Sequence, residues 1–264
     1  MIDQEYRQTL DEINLSVPSC LDRGEVLRQL DSVLDPELDQ SILGLGFVKS
    51  VECNESHLTV ELELPTYWCA ANFSYLMAID ARRNLLQVQG VESVTVRLPN
   101  HFASKAIEEG VNSAKSFADS FPGEAWANLE QLRDLFLRKG YIGRQEKLLR
   151  QLINAGLSYE EISRLRSADV VVDGESCWVR LDGAETVHVG PAMVAKRYFE
   201  RREGLGLDCS PTGWLMCDLK NQPIPAERLE TYLVQSRTVR VSTEATGALC
   251  AVLLEARQAA KATA

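Results

Sequence analysis

Apolar and polar residues alternate most regularly over 58–64, where Leu58, Val60, Leu62 and Leu64 are separated by Thr59, Glu61 and Glu63. Successive strand side chains point to opposite faces, so this pattern predicts a half-buried strand. The run 47–53 predicts a partner strand, with a turn at Asn54-Glu55-Ser56 between the two. Upstream, Val26, Leu27, Leu30, Val33 and Leu34 recur at helical spacing and predict a helix over 24–34. Asp35-Pro36 ends it, because the residue before a proline disfavours the helical region. Downstream, Phe73, Leu76, Met77, Ala81 and Leu85 share one face of a helix predicted from about Ala70 to Val88. Gly90 breaks that helix, and 91–98 predicts a third strand. The resulting order of helix, strand, strand, helix, strand makes a small α/β (α+β) sandwich of roughly a hundred residues.

The character changes beyond Pro99. Residues 104–123 are polar and rich in small side chains, which predicts a partly helical connector. Trp126, Leu129, Leu132 and Phe136 then predict one helix, and Leu148, Leu149, Leu152 and Ile153 another that ends at Gly156. Ser158-Tyr159-Glu160-Glu161 fits a capping box opening a short helix with Ile162 and Leu165. Two short strands flank Asp173-Gly174, a third is predicted after Asp182-Gly183, and helices follow near 191–203, 225–236 and 244–258. The predicted domains are therefore 1–103 with its core at 24–98, a connector over 104–123, and a mainly α-helical second domain with a short β-hairpin over 124–264. The first fifteen or so residues are polar and predicted to be loose.

The formal charge of −10 over 264 residues argues against non-specific nucleic-acid binding, which needs a basic surface. No apolar run is long enough to span a bilayer, so no membrane role is expected. The start, Met1-Ile2-Asp3-Gln4-Glu5, is acidic and unlike a secretory signal, so a cytoplasmic location is the default. The seven cysteines (Cys20, Cys53, Cys69, Cys177, Cys209, Cys217 and Cys250) are odd in number, widely spaced and without a C-x-x-C pair. That pattern reads as free thiols and not as a disulfide framework or a self-contained zinc site.

Cys69 carries the most chemistry. It sits where the strand pattern turns into the helix pattern, beside unpaired backbone N–H groups and the positive end of a helix dipole, both of which favour thiolate. Thiolates bind soft metals and clusters and also act as nucleophiles. A nucleophile needs a base, and none of His57, His101 and His188 lies near Cys69 in sequence. Taken alone, Asp35-Pro36-Glu37 is equally a helix-ending turn, and Thr66 a helix cap. Cys177, Cys53 and Cys250 fall in apolar patterns that predict core positions, as do Trp126 and Trp214. Cys209 and Cys217 bracket a turn-rich segment that could bring two thiols together.

Asp35-Pro36-Glu37-Leu38, then Leu45 to Val48 (Leu-Gly-Phe-Val), then Leu64-Pro65-Thr66-x-x-Cys69, then a helix and Gly90-Val91-x-x-Val94-x-Val96 resembles the PaaD/SufT-type domain. The resemblance covers roughly Val26 to Leu98. It implies a role in assembling or delivering iron–sulfur clusters or other metal centres. It further implies a cofactor-binding set of Asp35, Glu37, Thr66, Cys69 and Asn72, with Cys69, Asp35 and Glu37 as metal ligands and no catalytic residue. The cargo would be iron or an iron–sulfur cluster, held transiently. Trp68 and Ala70 flank the cysteine where many members carry glycine or proline. A cluster takes roughly four protein ligands, so one thiolate does not suffice. Two chains sharing a cluster as a homodimer, further residues of this chain, or an adaptor that holds no metal stably all remain open.

Over the whole chain, a PaaD-type domain with a helical extension ending like 237–244 resembles proteins associated with soluble di-iron monooxygenases of the propane-oxidising kind. That implies a client apoprotein, a di-iron monooxygenase component. The stretch 148–170 is also similar to the helix-and-hairpin core of tyrosine recombinases, but Ser158 stands where that family has its arginine.

Overall fold

The structure, a computed structural model, describes residues 13–16, 21–123, 129–181 and 186–262. The first twelve residues, Cys20, Trp126 and the Asp182-Gly183 turn lie outside the described residues. The described chain divides into two compact units. One takes the stretches up to Arg133 and from Ala245 onward, and the other takes Asp134–Glu244.

In the first unit the elements are β1 (Asn14–Ser16), α1 (Arg23–Asp31), β2 (Leu34–Asp35), β3 (Gln40–Ser41), β4 (Val48–Asn54), β5 (His57–Leu62), α2 (Ala71–Leu85), β6 (Ser93–Arg97), α3 (Ser104–Asn112) and α4 (Phe117–Ser120). The main sheet runs β1-β4-β5-β6, with β4 and β5 antiparallel and the two flanking pairs parallel. Leu58, Val60 and Leu62 are buried, as their alternation predicts, while their neighbours Thr59 and Glu61 are partly open. Val51, Val94 and Val96 bury the same way, and α1, α2 and α3 add Leu30, Leu85 and Val111 to this core.

Differences from the sequence pattern have local causes. The first helix stops at Asp31 because Leu34 and Asp35 pair with Gln40 and Ser41 in a small hairpin. Asn14–Ser16, in the stretch expected to be loose, adds a short parallel edge to β4. Residues 104–120 form α3 and α4, whose Ile107, Val111 and Phe117 lie in the first core. Asn112 pairs with both the backbone N–H (2.8 Å) and carbonyl (2.9 Å) of Val96. Its amide stands in for a neighbouring strand and covers the open edge of β6.

The later elements are α5 (Leu129–Asn154), α6 (Tyr159–Arg164), β7 (Val170–Asp173), β8 (Ser176–Arg180), β9 (Thr186–Pro191), α7 (Ala192–Gly204) and α8 (Ala226–Ala262). β7, β8 and β9 form an antiparallel sheet. Ser158 and Glu161 make the predicted reciprocal capping box at α6. Two helices predicted over 126–156 are one helix, α5. Their apolar pattern is interrupted by Gln145 and Glu146, which are nonetheless buried. Gln145 donates to the Cys217 carbonyl (2.9 Å), and Glu146 pairs with Arg150 and Arg240. Buried polar groups paired in this way extend a helix face that hydrophobicity alone cannot reveal. Likewise the helices predicted at 225–236 and 244–258 are one, α8, continuous through 238–243 despite four β-branched residues there. Arg240 pairs with Glu146 and Glu244 along that run. The mixed α/β class, with a later helical region and a small antiparallel sheet, follows the pattern.

Candidate functional site

The site lies in the first unit and is built from three loops and one helix. Asp35 ends β2, and its Oδ1 accepts the N–H groups of Glu37 (2.9 Å) and Leu38 (2.8 Å). Its carbonyl accepts from Asp39 N at 2.9 Å, so side chain and backbone together fold the Asp-Pro-Glu turn. Leu38, Ile42 and Leu43 anchor this turn in the core. Asp35 is only 8% exposed whereas Glu37 is open to solvent. Burial pushes the Asp35 carboxyl up to about 6, against the two N–H bonds that lower it and with the nearby Glu37 charge adding to the rise. Both donors use Oδ1.

Cys69 closes a turn after Leu64 and Pro65, both buried, with its N–H on the Thr66 carbonyl at 3.4 Å. Thr66 does not cap α2. The N-cap is Ala70, which makes no side-chain cap bond, and no acidic residue lies in the first turn. The Thr66 hydroxyl instead lies 3.4 Å from Cys69 Sγ. The Asn72 carbonyl oxygen Oδ1 accepts Phe73 N–H at 2.8 Å, so this side chain is engaged within the first helical turn.

A second segment holds the turn from below. The Ala103 N–H donates to His101 Nδ1 (3.1 Å), so Nε2 carries the ring proton and donates to the Cys69 carbonyl at 2.7 Å. Ser74 Oγ donates to the Ala70 carbonyl (3.0 Å) and lies 3.2 Å from the same Nε2. Phe102 N–H donates to the Tyr67 carbonyl at 3.1 Å. His101 therefore sits near Cys69 in space, but its ring nitrogens are committed to backbone groups. It is a support for the turn and not a base for the thiol.

Tyr67, Trp68 and Phe102 are exposed above this scaffold, with Trp68 75% exposed and stacked on Phe102 at 5.7 Å between ring centroids. Tyr67 meets Trp68 edge-on at 4.8 Å. Three large aromatic rings are thus open to solvent beside one thiol.

The fourth contribution comes from the C-terminal part of α8. Burial raises the Cys250 thiol above its ordinary range, and the charges of Asp35, Cys69 and Glu37 raise it further. Cys250 is half-buried and packs against the first core, as Cys69 does. Among the described residues no group of three or more His, Cys, Asp or Glu side chains is arranged to hold a metal ion. Cys209 is exposed while Cys217 is buried under the Tyr141 hydroxyl, and Cys177 is buried in β8; all three are free. The sequence did not point to His101 as the support of this turn, whereas Cys250 packs against the first core as its apolar pattern predicts.

Residues 23–97 match the family model described as iron-sulfur cluster assembly protein. The matched segment runs from α1 to β6 and contains Asp35, Glu37, Thr66, Cys69 and Asn72, while His101 and Cys250 fall after it. It supports an iron–sulfur assembly type of function for that segment. No curated protein and no solved structure matches the chain. No described helix is long and apolar enough to cross a membrane.

Proposed function

We propose that this protein is a metallocentre assembly factor that carries iron or an iron–sulfur cluster as transient cargo and delivers it to a client oxygenase. The observation that supports this reading is the match of residues 23–97 to the assembly family, in a segment that carries the thiol of Cys69 and the buried carboxyl of Asp35. Cys69 supplies a soft donor, and Asp35 and Glu37 supply hard oxygens. A mixed set of this kind holds iron less firmly than four thiolates, which suits release. Asp35 binds a cation as its carboxylate, so binding is expected to weaken as pH falls through about 6. Thr66 offers its hydroxyl to the Cys69 sulfur, and His101 fixes the backbone from which that sulfur projects.

Anaerobic loading with ferrous iron and sulfide tests this reading. The native protein is expected to gain thiolate-to-iron absorbance that Cys69→Ser loses and Asp35→Asn weakens. A native protein that gains no such signal would remove the carrier reading.

A second reading is a metal-independent adaptor that holds a monooxygenase component through the exposed Tyr67, Trp68 and Phe102 surface. It predicts a client complex that survives Cys69→Ser, and pull-down from native cells with metal measurement of the eluate separates the two.

A further inference from the structure

We infer that Tyr67, Trp68 and Phe102 form a platform that takes an arginine side chain from a basic segment of the client protein. This inference rests on the client-binding reading above and names the chemistry of the partner.

The platform is built before any partner arrives. Phe102 N–H donates to the Tyr67 carbonyl at 3.1 Å, and the neighbouring His101 ring donates to the Cys69 carbonyl at 2.7 Å. The two segments that carry the rings are thus tied together through their backbones. His101 is itself buried and lies 4.7 Å from Phe102 between ring centroids. Trp68 stacks on Phe102 with 30° between the planes, and Tyr67 meets Trp68 edge-on. The rings support one another, yet 48% of Tyr67, 75% of Trp68 and 46% of Phe102 stay open to solvent. A surface held in place in this way loses little freedom when a partner binds.

The face of an aromatic ring is electron-rich, and an indole face attracts a cation most strongly. The same protein shows the arrangement in its second unit. Arg166 lies 3.1 Å from the centre of the Trp214 ring, and Arg202 lies over Tyr198 at 5.5 Å. Among the described residues no Lys or Arg covers Tyr67, Trp68 or Phe102. Lys105, one helical turn beyond Phe102, is turned to Glu109 at 4.0 Å.

Charge selects the same partner. The formal −10 of the chain falls entirely on the first unit, since the second holds as many Lys and Arg as Asp and Glu. Such a field draws in a basic segment and repels the phosphates of nucleic acid, whose bases also stack on open rings. A guanidinium is planar, weakly hydrated and stacks on ring faces, which favours arginine over lysine. Trp68 immediately precedes Cys69, so a segment held on the indole lies beside the thiol turn.

Fluorotryptophan incorporated into the full chain gives a fluorine resonance for each tryptophan, and the one missing in Trp68→Phe belongs to Trp68. The probes are a blocked Gly-Arg-Gly-Arg-Gly peptide and its counterpart with citrulline for arginine, which keeps the planar shape and drops the charge. At millimolar concentrations the arginine peptide is expected to shift the Trp68 resonance saturably and leave the other tryptophans unmoved. The citrulline peptide should bind roughly tenfold more weakly, and high salt should weaken the arginine peptide. Equal shifts from both peptides, or none from either, would overturn the inference. So would a Trp68 shift given by oligothymidylate instead of the arginine peptide, or by raising the protein concentration alone, since these report base stacking and self-association. Iron loading of the same sample separates the two readings. Loading without arginine binding removes the platform and leaves the carrier, whereas arginine binding without loading removes the carrier and leaves the platform.

Discussion

His101 Nε2 lies 2.7 Å from the carbonyl oxygen of Cys69, and the imidazole is fixed in this role by the Ala103 N–H on its other nitrogen. A residue 32 positions downstream thus determines where the thiol turn sits. The ring is only 3% exposed, so its loss cannot be made good by water.

His101→Ala removes a buried hydrogen bond and leaves a small cavity, which together cost about 2–4 kcal/mol. A lower urea midpoint with an unchanged slope is the expected result. Iron loading should fall as well, although every proposed ligand remains. His101→Gln, which can still donate to the Cys69 carbonyl, should recover part of both losses. An unchanged midpoint in His101→Ala would show that the turn holds without its support.

Asp35 gives a pH dependence with a definite sign. Its folded value of about 6 lies above the unfolded carboxylate value of about 4, so the native state binds more protons between these two. Stability is therefore greatest below pH ~4, declines as pH rises through the window, and stays reduced above ~6. Asp35→Asn removes that penalty and keeps an oxygen for the Glu37 and Leu38 N–H groups. The variant should be more stable than the native chain by up to about 3 kcal/mol at pH 8, with the difference vanishing near pH 4. It should also load iron poorly. Denaturation at the two pH values checks the first expectation, and equal behaviour at both would mean that the carboxyl is not held in a desolvated state.

Trp68→Ala with Phe102→Ala addresses the aromatic surface. Both rings are exposed, so the double change should cost little stability, within about 1 kcal/mol. Iron loading should be near native, while client proteins recovered from native cells by pull-down should be lost. Recovery of the same clients by the double variant would assign recognition to another surface.

The first unit was the more legible of the two, for physical reasons. Leu58, Val60 and Leu62 alternate because one face of their sheet is covered and the other is not, and this leaves a period-two record in the sequence. The Cys69 turn was legible because a strand pattern meets a helix pattern there. The continuity of α5 was hidden because Gln145 is polar yet fully buried, its amide shared among Tyr141, Tyr198 and the Cys217 carbonyl. Tyr232 joins the same group. Partners separated by 72 or 87 positions leave no periodicity. The same applies around Cys69: its turn stood out through a local motif, whereas His101 reaches it only through the tertiary fold. The end of the chain was read as an apolar helix, which it is, but nothing in its spacing says which core Leu254 enters.

Thr66 supplies the last test, since its hydroxyl lies 3.4 Å from Cys69 Sγ and makes no cap to α2. Either atom can donate while the thiol is neutral, and once the proton has left only the hydroxyl can. Thr66→Val keeps the shape and removes the donor. A hydrogen bond of this kind is worth about 0.5–1.5 kcal/mol. Alkylation of Cys69 at pH 8 should therefore slow by roughly three- to tenfold in Thr66→Val. Thr66→Ser keeps the hydroxyl and should react at close to the native rate. Were Thr66→Val and Thr66→Ser to slow equally, the loss would lie in the packing of the γ-methyl group and not in the hydrogen bond. Peptide mapping is required in either case, because the exposed Cys209 reacts in the same experiment and must be counted separately.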